Sequence, residues 1–168
     1  LDIEPGLAFG SGSHPTTRLC LETLERYVKN GDEVLDIGCG SGILSIATLL
    51  LGAKHALGVD IDSLAVKTAK ENAKQNGFAE DRFTAVQGNL SDKVSGKFDI
   101  VVANIVADII MEFNTEVGKF LKDDGVYITG GIIENREDEV LYSFNQNGFE
   151  VIERHENNGW LVFVLKKT

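Results

Sequence analysis

The residues of this chain best suited to handling a small charged ligand are glycines, acids and carboxamides set at the ends of apolar runs. Gly38, Gly40 and Gly42 alternate in Glu33-Val34-Leu35-Asp36-Ile37-Gly38-Cys39-Gly40-Ser41-Gly42. That stretch reads as a short apolar strand emptying into a turn, and an apolar helical pattern from Ile43 to Leu51 follows at once. Glycine lets such a turn take positive φ and brings bare backbone against a ligand. The N–H groups opening the next helix would face an anionic group with the favourable end of the helix dipole. This pattern predicts a cradle for a nucleotide-type cofactor.

The spacing separates the candidate cofactors. A dinucleotide fingerprint requires G-x-G-x-x-G, whereas this turn reads G-x-G-x-G. Asp36 stands two residues before Gly38. Its carboxylate would repel a pyrophosphate and attract an ammonium. S-adenosylmethionine carries that ammonium, a sulfonium and no phosphate. Asp60 lies 22 residues after Gly38, at the end of the next apolar run. An acid there can accept both ribose hydroxyls of any adenosine cofactor. Asp60 thus supports an adenosine ligand, and Asp36 favours S-adenosylmethionine.

Two carboxamides extend the list. Asn89, in Gln87-Gly88-Asn89-Leu90, follows the third apolar run; it could reach the exocyclic amine of an adenine or simply favour a turn. Asn104 breaks the run Val102-Ala103-Asn104-Ile105, where a buried polar group is costly without a partner. Its carboxamide could bond the cofactor on one side and an incoming amine on the other; its plain alternative is a cap for a helix starting near Val106. One of Thr16 and Thr17 is expected to cap the first helix, and the other to reach the cofactor's carboxylate. His14 before Pro15 reads as structural or exposed, and Cys39 as a small filler in the turn. Cys20 and Cys39 have no metal-ligand spacing, so no metal is expected.

Elements that would position these groups alternate along the chain. Val34–Ile37, Ala56–Ile61, Phe83–Gln87, Phe98–Asn104 and Gly125–Thr129 read as strands. Ile43–Leu51, Ser63–Asn76 and Val106–Leu121 read as helices between them, with Ser63 as an N-cap and Gly77 as a C-cap. Such alternation predicts right-handed crossovers and a parallel sheet covered on both faces. The end of the chain departs from it: a helix over Glu137–Asn147, a strand over Phe149–His155, a turn at Asn157-Asn158-Gly159 and a strand over Trp160–Lys166. Strands joined by so short a turn must be antiparallel. Ahead of the first strand, Pro15 to Tyr27 reads as a helix, preceded by a glycine-rich loop from Pro5 to His14 that is a candidate lid.

Bulk properties bound the function. At 168 residues, 43% hydrophobic and 25% charged, the chain is expected to form one globular domain, residues 1–168. No apolar run approaches the roughly 18 residues that span a bilayer, and the start has no secretory signal pattern. With the cysteines, these features make the cytoplasm the expected compartment. The net charge of −10 disfavours a nucleic-acid backbone as main partner, since such binding rests on clustered Lys and Arg.

The motifs Gly10-Ser11-Gly12-Ser13-His14-Pro15-Thr16-Thr17, Asp36-Ile37-Gly38-Cys39-Gly40-Ser41-Gly42 and Asn104-Ile105-Val106-Ala107 together resemble the bacterial ribosomal protein L-eleven methyltransferases. The resemblance covers nearly the whole chain. Ser11 and Ser13 stand where the family usually has threonine, and Val106 where leucine is commoner. The resemblance implies a Rossmann-like class I methyltransferase fold: a seven-stranded, mostly parallel α/β sheet with an antiparallel C-terminal strand and helices on both faces. It implies that Thr17, Gly38, Asp60 and Asn104 contact S-adenosylmethionine, to which the spacing adds Gly40 and Asn89. It further implies methylation of lysine side chains and of the N-terminal amine of a large-subunit ribosomal protein. The family's small N-terminal recognition domain has no counterpart here, so the chain is expected to be the catalytic domain alone.

The nucleophile must be a neutral amine, which Asn104 is expected to orient without a dedicated general base. The competing readings are a class I methyltransferase for another protein or a small molecule, a nicotinamide-dependent dehydrogenase, and a non-catalytic cofactor-binding module. Asp36 and the terminal hairpin oppose the dehydrogenase. A Pro-Pro-Tyr after Asn104 would point to nucleic-acid bases or glutamine, and Ile105-Val106-Ala107 does not.

Overall fold

In a computed structural model, which describes residues 14–168, the alternating apolar runs become a seven-stranded sheet in the order β3-β2-β1-β4-β5-β7-β6. The strands are β1 (Glu33–Ile37), β2 (His55–Asp60), β3 (Phe83–Gln87), β4 (Phe98–Asn104), β5 (Leu121–Ile133), β6 (Phe149–Asn157) and β7 (Trp160–Lys167). Pairs among β1 to β5 are parallel, whereas β7 runs antiparallel to both β5 and β6. One reversed strand therefore sits between β5 and the edge strand β6. The turn that reverses it uses positive φ at Asn158 (53°) and Gly159 (82°), as a tight hairpin requires.

Helices α1 (Pro15–Tyr27), α2 (Ile43–Leu50) and α3 (Ser63–Gln75) cover one face; α4 (Ala107–Asn114) and α5 (Glu137–Gln146) cover the other. Strands β1 and β4 are almost wholly buried between the two layers, which explains their unbroken apolar character. Crossovers leave β1 toward β2 and reach β4 from β3, so the chain changes direction between β1 and β4. Open α/β sheets form their ligand crevice at the carboxyl ends of such a strand pair. The far end of α1 is tied to β6: Arg26 pairs with Glu153 at 2.6 Å, and the Tyr27 hydroxyl donates to the same carboxylate. No helix among the described residues is long and apolar enough to cross a membrane.

Several local expectations change in the folded chain. Asp62, not Ser63, caps α3, its side chain accepting from the Leu64 N–H at 2.9 Å. Neither Thr16 nor Thr17 caps α1; His14 does, its Nδ1 accepting from the Thr16 N–H at 3.2 Å. The pattern over Val106–Leu121 predicts one helix, but α4 stops at Asn114 and a 3₁₀ turn, Val117–Phe120, leads into β5. Asn114 is drawn into the core, accepting from the Tyr127 hydroxyl at 2.8 Å and donating to Ser143 Oγ at 2.9 Å. The continuing apolar period reflects burial of Val117 and Leu121, not a continuing helix. Strand β5 also outruns its predicted Gly125–Thr129, reaching Ile133 through a register shift at Gly130-Gly131. The predicted lid loop, apart from His14, lies outside the described residues.

Candidate cofactor and active site

The crevice over β1 and β4 is a cavity of about 510 Å³, within the usual size of small-molecule sites. Gly38, Gly40, Asp60, Asn89 and Asn104 all reach its wall, and so does Trp160. Gly38 has φ +70°, and a Cβ there would lie 2.4 Å from Cγ2 of Ile105. The turn can therefore hug the end of β4 only as glycine.

The turn is not the open anion nest that its glycines predict. The N–H groups of Gly38 and Cys39 both donate to the Val59 carbonyl, at 2.7 and 3.0 Å. That of Gly40 donates to Asp60 Oδ2 at 2.9 Å, and that of Gly42 to the Cys39 carbonyl at 2.8 Å. The N-terminus of α2 has its own anion: Asp36 accepts from Ser45 Oγ at 2.7 Å and from the Ser45 backbone N–H. A buried carboxylate thus occupies the place that a phosphate takes in dinucleotide folds. Burial pushes Asp36 up to about 7, the charge of Asp60 adds to the rise, and Ser45 opposes it. Near neutrality its charge is conditional, and an approaching ammonium would favour the ionised form.

Asp60 has each oxygen engaged once, Oδ2 by Gly40 and Oδ1 by the Asp62 N–H at 3.0 Å. A carboxylate has about four acceptor positions, so both oxygens can still take a hydroxyl. Asn89 is exposed at the rim, where its backbone N–H is held by Asp92 Oδ1 at 2.9 Å and Leu90 adopts φ 52°.

Asn104 is held at both of its polar atoms. It is half-buried, and its Oδ1 accepts from Thr16 Oγ1 at 3.0 Å while its Nδ2 donates toward Thr17 Oγ1 at 3.4 Å. It does not cap α4, whose N-cap is Val106. Thr17 is buried behind Asn104 rather than on the cavity wall. Sequence reasoning missed Gly130, Gly131, Ile105 and Trp160. A glycine pair inside an apolar strand is a recognisable sign of a bulge or close backbone approach; the tryptophan offered no such sign. Its ring meets that of His14 edge-on, with centroids 4.9 Å apart.

A glycine turn after β1, an acid closing β2, a carboxamide closing β4 and one reversed strand beside the edge define a class I methyltransferase. The family model for "Ribosomal protein L11 methyltransferase (PrmA)" matches residues 1–168, and the chain belongs to that family. A ribosomal protein L11 methyltransferase from Dictyoglomus thermophilum is 52% identical over 164 residues, covering 98% of this chain and 54% of the relative. The crystal structure of a ribosomal protein L11 methylase from Lactobacillus delbrueckii subsp. bulgaricus matches with TM-score 0.92 and 34% identity, covering 99% of this chain and 84% of that one. A methyltransferase from Thiobacillus denitrificans in complex with S-adenosyl-L-homocysteine matches with TM-score 0.72 and 19% identity over 92% of this chain and 93% of that one, which speaks for the fold alone. The chain spans about half the length of the curated relatives it matches.

Proposed function

We propose that residues 1–168 act as one methyltransferase domain that moves a methyl group from S-adenosylmethionine to amines of a large-subunit ribosomal protein in the cytoplasm. The targets are lysine side chains and the N-terminal amine. The observation that carries this reading is a crevice closed to phosphate by Asp36 and by the bonded glycine turn, with a fixed carboxamide, Asn104, on its wall.

The residues present fit the cofactor. Gly38 and Gly40 would lie along it, Asp60 would take the ribose hydroxyls, and Asp36 would face the ammonium. When bound, S-adenosylmethionine supplies an electrophilic methyl on a sulfonium. The chain's part is alignment and desolvation. A free lysine has a pKa of about 10.4 and must lose a proton before it can attack. The apolar rim at Ile105, Val106 and Ile109 would disfavour the ammonium form. Asn104 Oδ1 keeps a lone pair beyond the one used by Thr16, and that lone pair orients the amine N–H.

Thermal unfolding with S-adenosylhomocysteine and with NAD tests the cofactor. Saturation at about 100 times the dissociation constant adds roughly 2.7 kcal/mol, a rise of about 2–4 °C for each kcal/mol in a domain of this size. A rise with NAD alone overturns the reading. Asn104→Ala is then expected to weaken S-adenosylhomocysteine by no more than the roughly tenfold of one lost hydrogen bond, while transfer to the ribosomal protein at saturating cofactor falls about 10–100-fold. Full transfer by that variant would remove Asn104 from the chemistry.

A further inference from the structure

We infer that Thr16 is a positioning residue that fixes which way the Asn104 carboxamide faces, and so which of its groups meets the substrate. This rests on the proposed role of Asn104. Thr16 is fully buried at the start of α1, and it approaches Asn104 across 88 positions of sequence.

The donor logic settles the orientation. The backbone N–H of Gly131 points at Thr16 Oγ1 from 2.6 Å, and an N–H can only donate. The hydroxyl therefore accepts at that contact and keeps its single hydrogen for another partner. Asn104 Oδ1 lies 3.0 Å away on the β4 side. Among the described residues, the other neighbour is the Cys20 thiol, pushed up to about 12 by burial. It stays protonated, and a thiol is a weak acceptor, so the carbonyl oxygen takes the proton. Rotating the amide would turn Nδ2 toward Thr16, setting a second donor against the hydroxyl and leaving its hydrogen only the sulfur of Cys20, a weak acceptor. Trading a carbonyl acceptor for a thiol in the core disfavours that orientation.

The backbone has been shaped around this contact. A Cβ on Gly130 would meet Cys20 Sγ at 2.7 Å, Thr16 Oγ1 at 2.8 Å and Asn104 Oδ1 at 2.9 Å. The bulge in β5 falls at these glycines, and it turns the Gly131 N–H onto Thr16. With Oδ1 held on that side, Nδ2 faces Thr17. The amide thus has one defined acceptor edge and one defined donor edge toward the crevice.

The test compares Thr16→Val, which keeps the shape and loses the hydroxyl, with Thr16→Ser, which keeps it; Thr16→Ala replaces the valine variant if that one does not fold. Thr16→Val is expected to lower kcat on the ribosomal protein about tenfold, with KM and S-adenosylhomocysteine affinity within about twofold, and serine is expected to restore kcat. In an Asn104→Ala background the same valine change is expected to cost less than about twofold. Equal losses in both backgrounds, or a serine variant as impaired as valine, would mean that Thr16 only packs. The side-chain amide pair of Asn104 in proton–nitrogen NMR gives a readout independent of turnover. It is expected to shift in Thr16→Val and hold in Thr16→Ser, and an unmoved pair in both overturns the inference. A parent chain that binds S-adenosylhomocysteine yet methylates no ribosomal protein would overturn the functional reading instead, and the amide pair would still decide the role of Thr16.

Discussion

Asp36→Asn is expected to raise the melting temperature at pH 8 and to flatten the loss of stability between about pH 4 and pH 7. Asp36 is 1% exposed, and burial, with Asp60 nearby, pushes its carboxyl up from 3.8 to about 7. A group raised in the folded state stabilises while protonated. Its contribution is complete below the unfolded value, fades as pH climbs toward 7 and is gone above it. A rise of roughly three pH units corresponds to about 4 kcal/mol, a large share of the 5–15 kcal/mol typical of a domain. Asparagine removes that penalty but offers the two Ser45 donors a single oxygen and brings an amide that needs its own acceptor. A net gain of about 2 kcal/mol at pH 8 remains, or roughly 4–8 °C.

Glu153 works in a different window. Tyr27, His155 and Arg26 hold it down to about 2 against the effect of burial. Its stabilisation is present above the unfolded value and is lost only as pH falls toward 2, so the two groups can be read apart in one titration. Asp36 also ties pH to binding. Affinity for S-adenosylhomocysteine, whose ammonium favours the ionised carboxyl, is expected to climb by up to about tenfold per pH unit below 7 and to level off above it. Asp36→Asn should abolish that slope. A dissociation constant in the parent chain that stays flat from about pH 5.5 to 8.5 would remove Asp36 from the ligand site.

Gly131→Ala is the second large effect. Gly131 has φ +76°, and an added Cβ would sit 2.6 Å from the Ile105 carbonyl oxygen and 3.0 Å from Ile105 C and N. These are backbone atoms of the turn after β4, which cannot swing aside. Forcing alanine into the left-handed region costs about 1–2 kcal/mol. The clash and the displaced Gly131 N–H bring the loss to about 3–4 kcal/mol. Transfer activity should fall with it, because the Gly131–Thr16–Asn104 chain is broken. Gly77→Ala isolates the backbone term, since Gly77 has φ +85° with nothing within 4 Å of its added Cβ. Gly118→Ala, with open space and no positive φ, should stay within about 0.5 kcal/mol of the parent. Denaturant unfolding of the three variants checks the ranking; a Gly131→Ala loss no larger than that of Gly77→Ala would refute the clash.

Much of this molecule is legible in the sequence because its signals are local. Strand and helix periods, the glycine turn after β1 and the Asn158-Gly159 reversal each depend on a few neighbouring residues, and the predicted strands and helices are found in order, the helix over Val106–Leu121 cut short at Asn114. The place of Asp60 at the end of β2, on the crevice wall, is legible for the same reason, since a strand end is a sequence-local place. Where a side chain is drawn off by a distant partner, local patterns fail. Asn114 ends α4 because the Tyr127 hydroxyl and Ser143 claim it. Asp36 is legible in sequence as the acid before the glycine turn, but its burial and its pairing with Ser45 at the start of α2 are not. Thr16, Asn104 and Gly131 meet only because α1 packs over β4 and β5 and the bulge re-aims one N–H. The sequence by itself thus determined the element order, the reversed strand and the glycine turn on the crevice wall. Tertiary structure alone decided which polar groups are paired, buried or left facing the crevice, because partners 88 and 115 positions apart have no period that a sequence can display.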